Sequence, residues 1–196
     1  MAEKPILFNT EMVIAILDGR KTMTRRAVKP QPNGEIKANI PYEFYGSKTE
    51  RIFTDTKAYL APYSVGDVLW VRETWADNIP GCPNGITYRA DHIDPKGDGP
   101  ANPIKWKPSI HMPKSAARIW LTVTDVRVER LQEILCGDMK REGCIPATVT
   151  GGQYQQWQRE YWIPLWDSTI KIQDISRYGW DANPWVWVIS FERRVG

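Results

Sequence analysis

The stretch Asn9-Thr10-Glu11-Met12-Val13-Ile14-Ala15-Ile16-Leu17-Asp18-Gly19-Arg20-Lys21-Thr22-Met23-Thr24-Arg25-Arg26 joins a short helix to an extended basic segment. Asn9 is a residue type whose side-chain oxygen caps the first helical amides. Glu11 follows in the first turn, where a negative charge suits the helix dipole. Met12, Val13, Ile16 and Leu17 fall on one helical face. Gly19 predicts a left-handed stop. Lys21–Arg26 therefore leaves a helix C-terminus and enters an extended stretch. Residues 20–29 carry five basic side chains and no acid.

Outward from there the chain reads as strands with irregularly placed helices. Residues 30–62 are rich in turn formers, including Pro30, Pro32 and Asn33-Gly34, which predicts loop with room for a hairpin. Val65-Gly66-Asp67 predicts a tight turn into a strand from Val68 to Trp75. On that strand Val68, Trp70, Arg72 and Thr74 face one way, and Leu69, Val71, Glu73 and Trp75 the other. Arg72 and Glu73 on a half-buried strand demand partners, either a structural ion pair or a ligand. Residues 76–103 read as a long loop or lid around a short strand at Ile86–Ala90. A long strand follows over Arg118–Arg130, then a short helix over Gly137–Glu142 stopped by Gly143. Tyr154, Trp157, Tyr161 and Leu165 recur at helical spacing, and Pro164 predicts a kink or an end there. Trp185–Arg193 is a closing strand with Trp185, Trp187, Ile189 and Phe191 on one face. Without a βαβ rhythm, this order predicts an α+β fold on a small curved sheet or barrel.

The 196 residues fit one domain with a sizeable core. No apolar run approaches the roughly 18 residues of a membrane span, so no membrane partner is expected. The N-terminus lacks the pattern of a signal peptide, which predicts a cytoplasmic protein. Cys82, Cys136 and Cys144 are too few and scattered for a disulfide framework. With only His92 and His111 as histidines, no Cys/His pair has zinc-ligand spacing. A carboxylate-bound magnesium or manganese leaves no such signature and stays open. No phosphate loop, nucleophile elbow or paired-histidine motif is present, and no cofactor is expected.

The formal charge of +3 argues little, but its distribution says more. A second acid-free stretch runs from Gly99 to Thr124 and holds Lys105, Lys107, His111, Lys114 and Arg118. The two basic stretches are either solvated loops or the walls of one cleft suited to phosphate. Six of the ten tryptophans lie in the last forty positions, which reads as core with one or two stacking platforms.

Lys21 and Thr24 are the sharpest chemical pair. A lysine among cations has its charged form disfavoured and its pKa lowered from about 10.4. Such a lysine can act as a base toward a neighbouring hydroxyl, Thr24 before Thr22. An exposed basic strand edge with threonines chosen for β-propensity explains the same residues. Glu73, Asp125, Glu129 and Glu142 are the candidate acids, and spacing does not choose among them.

The segments Leu17–Arg26 and Gly66–Trp75, the strand–helix unit ending Glu142-Gly143 and the closing Trp185–Phe191 strand together resemble the ASCH superfamily. The likeness is to the version common in tailed phages and prophages, which also carries segments like Trp106–Pro113 and Trp180–Trp185. The resemblance implies one domain over 1–196, with a loop insertion at 76–115 and a helical insertion at 146–178. It implies a small PUA-like β-barrel with flanking helices around a cleft. It implies an association with RNA. Some members look like ribonucleases, and one branch hydrolyses N4-acetylcytidine to cytidine and acetate. Carried over by position, Thr24 would attack the acyl carbonyl, Lys21 take its proton and Glu142 assist the leaving amine. Arg20, Arg25, Arg26, Trp70, Arg72, Glu73, Tyr88, Trp106, Ser109 and His111 would contact the substrate. Two departures stand out. The helix before Glu142 opens on Leu135-Cys136-Gly137-Asp138, poorer capping than the family offers, and the 76–115 loop is positioned to cover or reshape the cleft.

The expected function is therefore a nucleoside- or RNA-directed protein, foremost a hydrolase of an N4-acylcytosine nucleoside or related small amide. The alternatives are a single-stranded RNA-binding protein or ribonuclease, and a non-catalytic phage accessory or assembly protein.

Overall fold

The computed structural model describes residues 2–32, 38–40, 51–53, 58–92, 104–144 and 154–194. Its centre is a five-stranded sheet built from β1 (Glu3–Leu7), β2 (Met23–Ala27), β6 (Val68–Arg72), β9 (Trp120–Arg130) and β10 (Trp185–Arg193). The strand order is β1-β6-β9-β10-β2, with β1 parallel to β6 and every other pair antiparallel. The mixed α+β class agrees with the pattern of the sequence.

A closed barrel does not form among the described residues. β1 and β2 are the two edges, and side chains rather than a backbone ladder stand between them. Arg26 Nη2 donates to the Leu7 carbonyl at 2.9 Å, and Lys21 and Arg26 both lie over the Phe8 ring, each 5.4 Å from its centroid.

Helix α1 (Thr10–Leu17) connects these two edges. Asn9 Oδ1 accepts the Met12 amide at 2.9 Å, as its cap position predicts. Gly19 takes φ +74° and turns the chain into β2. Val13 and Ile16 join Ile6, Phe8, Leu69, Val71, Leu121, Val123, Trp187, Ile189 and Phe191 in the main core. The opposite faces of β2 and β10 present Met23, Val186 and Val188 to a second core. There they meet Leu131, Ile134, Met139, Trp157, Trp162 and Trp166. With both faces covered, β10 has a run of buried residues rather than an alternation.

Three sequence expectations need correction. The strand over Val68–Trp75 breaks after Arg72: the Glu73 carboxylate turns to Arg118, and Trp75–Ala76 (β7) pairs instead with Thr87–Tyr88 (β8). The helical spacing read from Tyr154, Trp157, Tyr161 and Leu165 holds only as far as Trp157, which is buried. A π-helical segment over Gln158–Trp162 joins α3 (Tyr154–Trp157) to α4 (Ile163–Ser168). Its extra residue moves burial from Trp157 to Trp162 and Trp166, leaving Tyr161 exposed. Pro164, which has no amide to donate, is thereby carried without ending the helix. Residues 38–40, 51–53 and 58–60 form a separate three-stranded antiparallel sheet (β3, β4, β5) rather than a single hairpin. Asn33-Gly34, 93–103 and 145–153 lie outside the described residues.

Helix α2 (Cys136–Arg141) follows β9 and ends on Glu142 and Gly143. No side chain caps its N-terminus, as the Leu135–Asp138 sequence foretells. At its other end Gly143 has φ +77°, and a Cβ there would sit 2.7 Å from the Ala15 Cβ and 3.0 Å from the Lys21 Cβ. Only glycine lets this turn lie against the α1–β2 connection. Replacing Gly143→Ala should therefore cost about 2 kcal/mol or more in urea denaturation, combining left-handed strain with the clash. A loss below about 0.5 kcal/mol would contradict this account.

Candidate functional site

Lys21 enters the protein at the turn between α1 and β2. Its amide donates to the Ala15 carbonyl at 2.8 Å, which directs the side chain inward rather than to solvent. Nζ then makes three contacts: the Met23 carbonyl at 2.8 Å, the Glu142 carbonyl at 2.9 Å and Glu142 Oε2 at 2.9 Å. An ammonium has three hydrogens, so all are placed. Lys21 and Glu142 are each only 3% exposed. Burial pushes the Lys21 pKa down, opposed by the adjacent carboxylate, with Arg26 adding a smaller push in the same direction as burial. The lowering expected from neighbouring cations is thus present, but desolvation leads it.

The other Glu142 oxygen, Oε1, accepts Arg25 Nη1 at 3.1 Å. Arg25 is 2% exposed and meets two further carboxylates. Its Nε lies 3.0 Å from Glu129 Oε1, Nη2 contacts the same oxygen, and Nη2 reaches Asp138 Oδ2 at 2.7 Å. The Trp162 ring lies 5.8 Å from the guanidinium carbon. Burial works against the charge, but Glu142 and then Glu129 outweigh it and hold the Arg25 pKa up. Asp138 sits in the first turn of α2 and gives its Oδ2 to Arg25 and Arg127.

Thr24 lies between these residues on β2 and is 2% exposed. Among the described residues its hydroxyl makes no hydrogen bond. It does not contact Lys21 Nζ, whose hydrogens are all taken elsewhere. Thr24, Lys21 and Glu142 nevertheless line one cavity of about 490 Å³, with Arg25 and Arg26. Phe8, Met12 and Tyr63 form one side, and Trp162, Leu165, Trp166 and Ile170 from the α4 region the other. The volume falls in the range that holds small ligands.

The remaining sequence candidates stand elsewhere. Arg20 reaches out to Asp18 Oδ2 and the Gly143 carbonyl at 3.0 and 3.1 Å. Trp70, Arg72, Glu73, Tyr88, Trp106, Ser109 and His111 do not line the cavity. Arg72 donates to the Ile110 carbonyl and lies 5.5 Å from the Trp70 ring. Glu73 takes Arg118 at 2.9 and 3.0 Å, and Arg118 stacks 3.9 Å from the Tyr88 centroid. Of the two readings left open for Glu73, the structure displays the ion pair. Trp106 packs on His92 and Arg89.

The two basic stretches do not meet in one cleft. Lys107 pairs with Asp77, Lys114 with Glu3, and Arg118 with Glu73 and Asp91, each an acid distant in sequence. No described residue of the 76–115 insertion lines the cavity. Of the four candidate acids, only Glu142 does; Glu129 stands behind Arg25 and Asp125 is exposed beside Arg127.

Sequence reasoning missed the apolar walls. Phe8 and Tyr63 carry no motif, and Trp162 and Trp166 were hidden by the π turn. Among the described residues no three His, Cys, Asp or Glu side chains gather to hold a metal ion. The carboxylates of Glu129, Asp138 and Glu142 converge on a guanidinium instead. No described helix is long and apolar enough to cross a membrane. Comparison with family models, with curated proteins and with solved structures gives no match.

Removing the Arg25 charge would leave three carboxylates with only Lys21 and Arg127 as cationic partners. Arg25→Met should lose about 3–5 kcal/mol of stability at pH 7, as when one partner of a buried pair is removed. Carboxylates stranded in this way bind protons more tightly folded than unfolded. The deficit should therefore shrink between pH 7 and pH 5, measured by chemical denaturation at both values. A deficit independent of pH would contradict the assignment.

Proposed function

We propose that this chain is a nucleoside-directed member of the ASCH superfamily that hydrolyses the amide of an N4-acylcytosine nucleoside or a related small amide. The observation that carries the reading is the Thr24 hydroxyl, without a hydrogen-bond partner among the described residues, lining the same small-ligand cavity as the buried Lys21–Glu142 pair.

In this mechanism Lys21 first passes a proton to Glu142. Two buried charges become two neutral groups, and Nζ gains a lone pair. Burial favours that exchange, since it disfavours the ammonium. Thr24 Oγ1 then adds to the acyl carbon while its proton moves to Lys21, a step for which Nζ must turn from Glu142 toward Thr24, since the two are not in contact in the structure. The C–N bond breaks, and the amine leaves with the proton Glu142 supplies. Water hydrolyses the threonyl ester, releasing the carboxylic acid and restoring the hydroxyl. The Trp162 and Trp166 side supplies an aromatic surface for the base. The strand-binding alternative calls for a continuous basic groove, and the ion pairs of Lys107, Lys114 and Arg118 weaken its support.

Incubation with a panel of acylated nucleosides, followed by mass spectrometry, should show release of the free amine and the carboxylate. Thr24→Val preserves shape and removes the nucleophile, so turnover should drop by about 10³-fold or more. Thr24→Ser should retain measurable turnover. Full activity in Thr24→Val would overturn the mechanism.

A further inference from the structure

Arg26 differs from every other cation at the cavity's inner end. Lys21 has the Glu142 carboxylate and Arg25 has three carboxylates. Among the described residues Arg26 forms no ion pair. Its Nη1 and Nη2 donate to the carbonyls of Arg25 and Leu7, at 3.4 and 2.9 Å. Among the described residues, three of its five N–H groups find no acceptor. Burial pushes its pKa down, opposed only in part by Tyr63 and by the Glu142 carboxylate, with which it forms no ion pair.

Lys29 lines the same cavity near its mouth, 4.7 Å from the Tyr178 ring, and likewise forms no ion pair among the described residues. The cavity's charged lining is thus Lys21, Arg25, Arg26 and Lys29 against the single carboxylate Glu142. Glu129 and Asp138 stand behind Arg25, where they answer its charge and that of Arg127. Arg26 and Lys29 are therefore the two lining cations that form no ion pair among the described residues.

We propose that the ligand of this cavity carries a phosphate monoester received by Arg26 and Lys29, so that it is a nucleoside 5′-monophosphate rather than a neutral nucleoside. The nucleoside part of this identification rests on the function proposed above; the anion subsite rests on the charges alone. A guanidinium with open N–H groups donates to phosphate oxygens in the paired geometry that suits both. Thr24 lies two residues before Arg26 on the same strand, so one ligand can span nucleophile and anion site.

The test is calorimetric titration of the full chain with cytidine, cytidine 5′-monophosphate and a short oligocytidylate, beside turnover of N4-acetylcytidine and its 5′-monophosphate. The monophosphate should bind about tenfold or more tighter than the nucleoside, the expected gain of a charge-assisted contact. That preference should shrink with added salt. Arg26→Met should bring the two ligands to within about twofold of each other, and Arg26→Lys should keep part of the difference. Lys29→Met alters an exposed side chain and should lower the preference severalfold even where the Arg26 variants fail to fold. Equal binding of nucleoside and monophosphate by the unaltered protein would overturn the proposal. So would an equal loss for both in Arg26→Met, which would make Arg26 a strut to Leu7. Tighter binding of the oligonucleotide than of the monophosphate would overturn it too, by placing the phosphate in a strand. Preference for the monophosphate with no turnover of either acetylated substrate supports the anion site and removes only the hydrolase. Turnover without preference removes only the anion site.

Discussion

The Glu142 carboxylate is shared: one oxygen holds Lys21 and the other holds Arg25. This single group ties the α1–β2 segment to the end of α2, 117 and 121 positions away in sequence. Lys21 belongs to the turn leaving α1, Arg25 to the edge strand β2, and Glu142 to the end of α2. Without it two cations would be buried a few residues apart with reduced compensation, at a desolvation cost their packing does not repay. With it, the inner wall of the cavity is fixed from both sides. Backbone contacts make the same connection: the Thr22 amide meets the Arg141 carbonyl, and the Glu142 carbonyl takes Lys21. The geometry is thus over-determined, as a preorganised site requires.

The local parts of this arrangement were legible in the sequence. Asn9, Gly19 and Gly143 announce where two helices begin or stop because caps and left-handed turns have short-range chemistry. The common face of Trp187, Ile189 and Phe191 in β10 and the length of β9 show for the same reason: the two-residue period is a property of the strand itself. Barrel closure was not legible. Whether two sheet edges meet in a ladder depends on what stands between them, and here that is Arg26 with the Phe8 ring. The π turn was equally hidden, because the spacing of aromatics in 154–166 fits an ordinary helix until Pro164 is accommodated.

Electrostatic partners were the least legible part of the candidate site. Two acid-free stretches look alike in the sequence, yet their fates differ. Lys107, Lys114 and Arg118 are each answered by an acid from another segment. The stretch at 20–29 is answered unevenly. Arg25 has an excess of carboxylates, Lys21 shares one, and Arg26 has none among the described residues. Pairing over more than a hundred positions, as between Arg25 and Glu129, leaves no trace in a local charge count. A net charge describes solubility and attraction at long range, whereas the distribution of partners decides which cation is free to meet a ligand.

This unevenness also bears on Lys21. Three acceptors surround its Nζ, so the structure displays a satisfied ammonium, while burial pulls toward the neutral amine. Two of those acceptors are carbonyls, which hold a neutral amine's N–H groups as well as those of an ammonium. Only the contact with Glu142 changes character on proton transfer, from an ion pair to a neutral hydrogen bond. The two states therefore share almost the same geometry and differ in the position of one proton. A ligand anion at Arg26 would enter a cavity where that proton is the principal adjustable charge. A negative charge nearby favours the ammonium, so it would raise the proton affinity of Lys21 while lowering the share of neutral amine ready to take the Thr24 proton. Under the proposed reading, the anion site and the base act on one equilibrium through the field of the ligand.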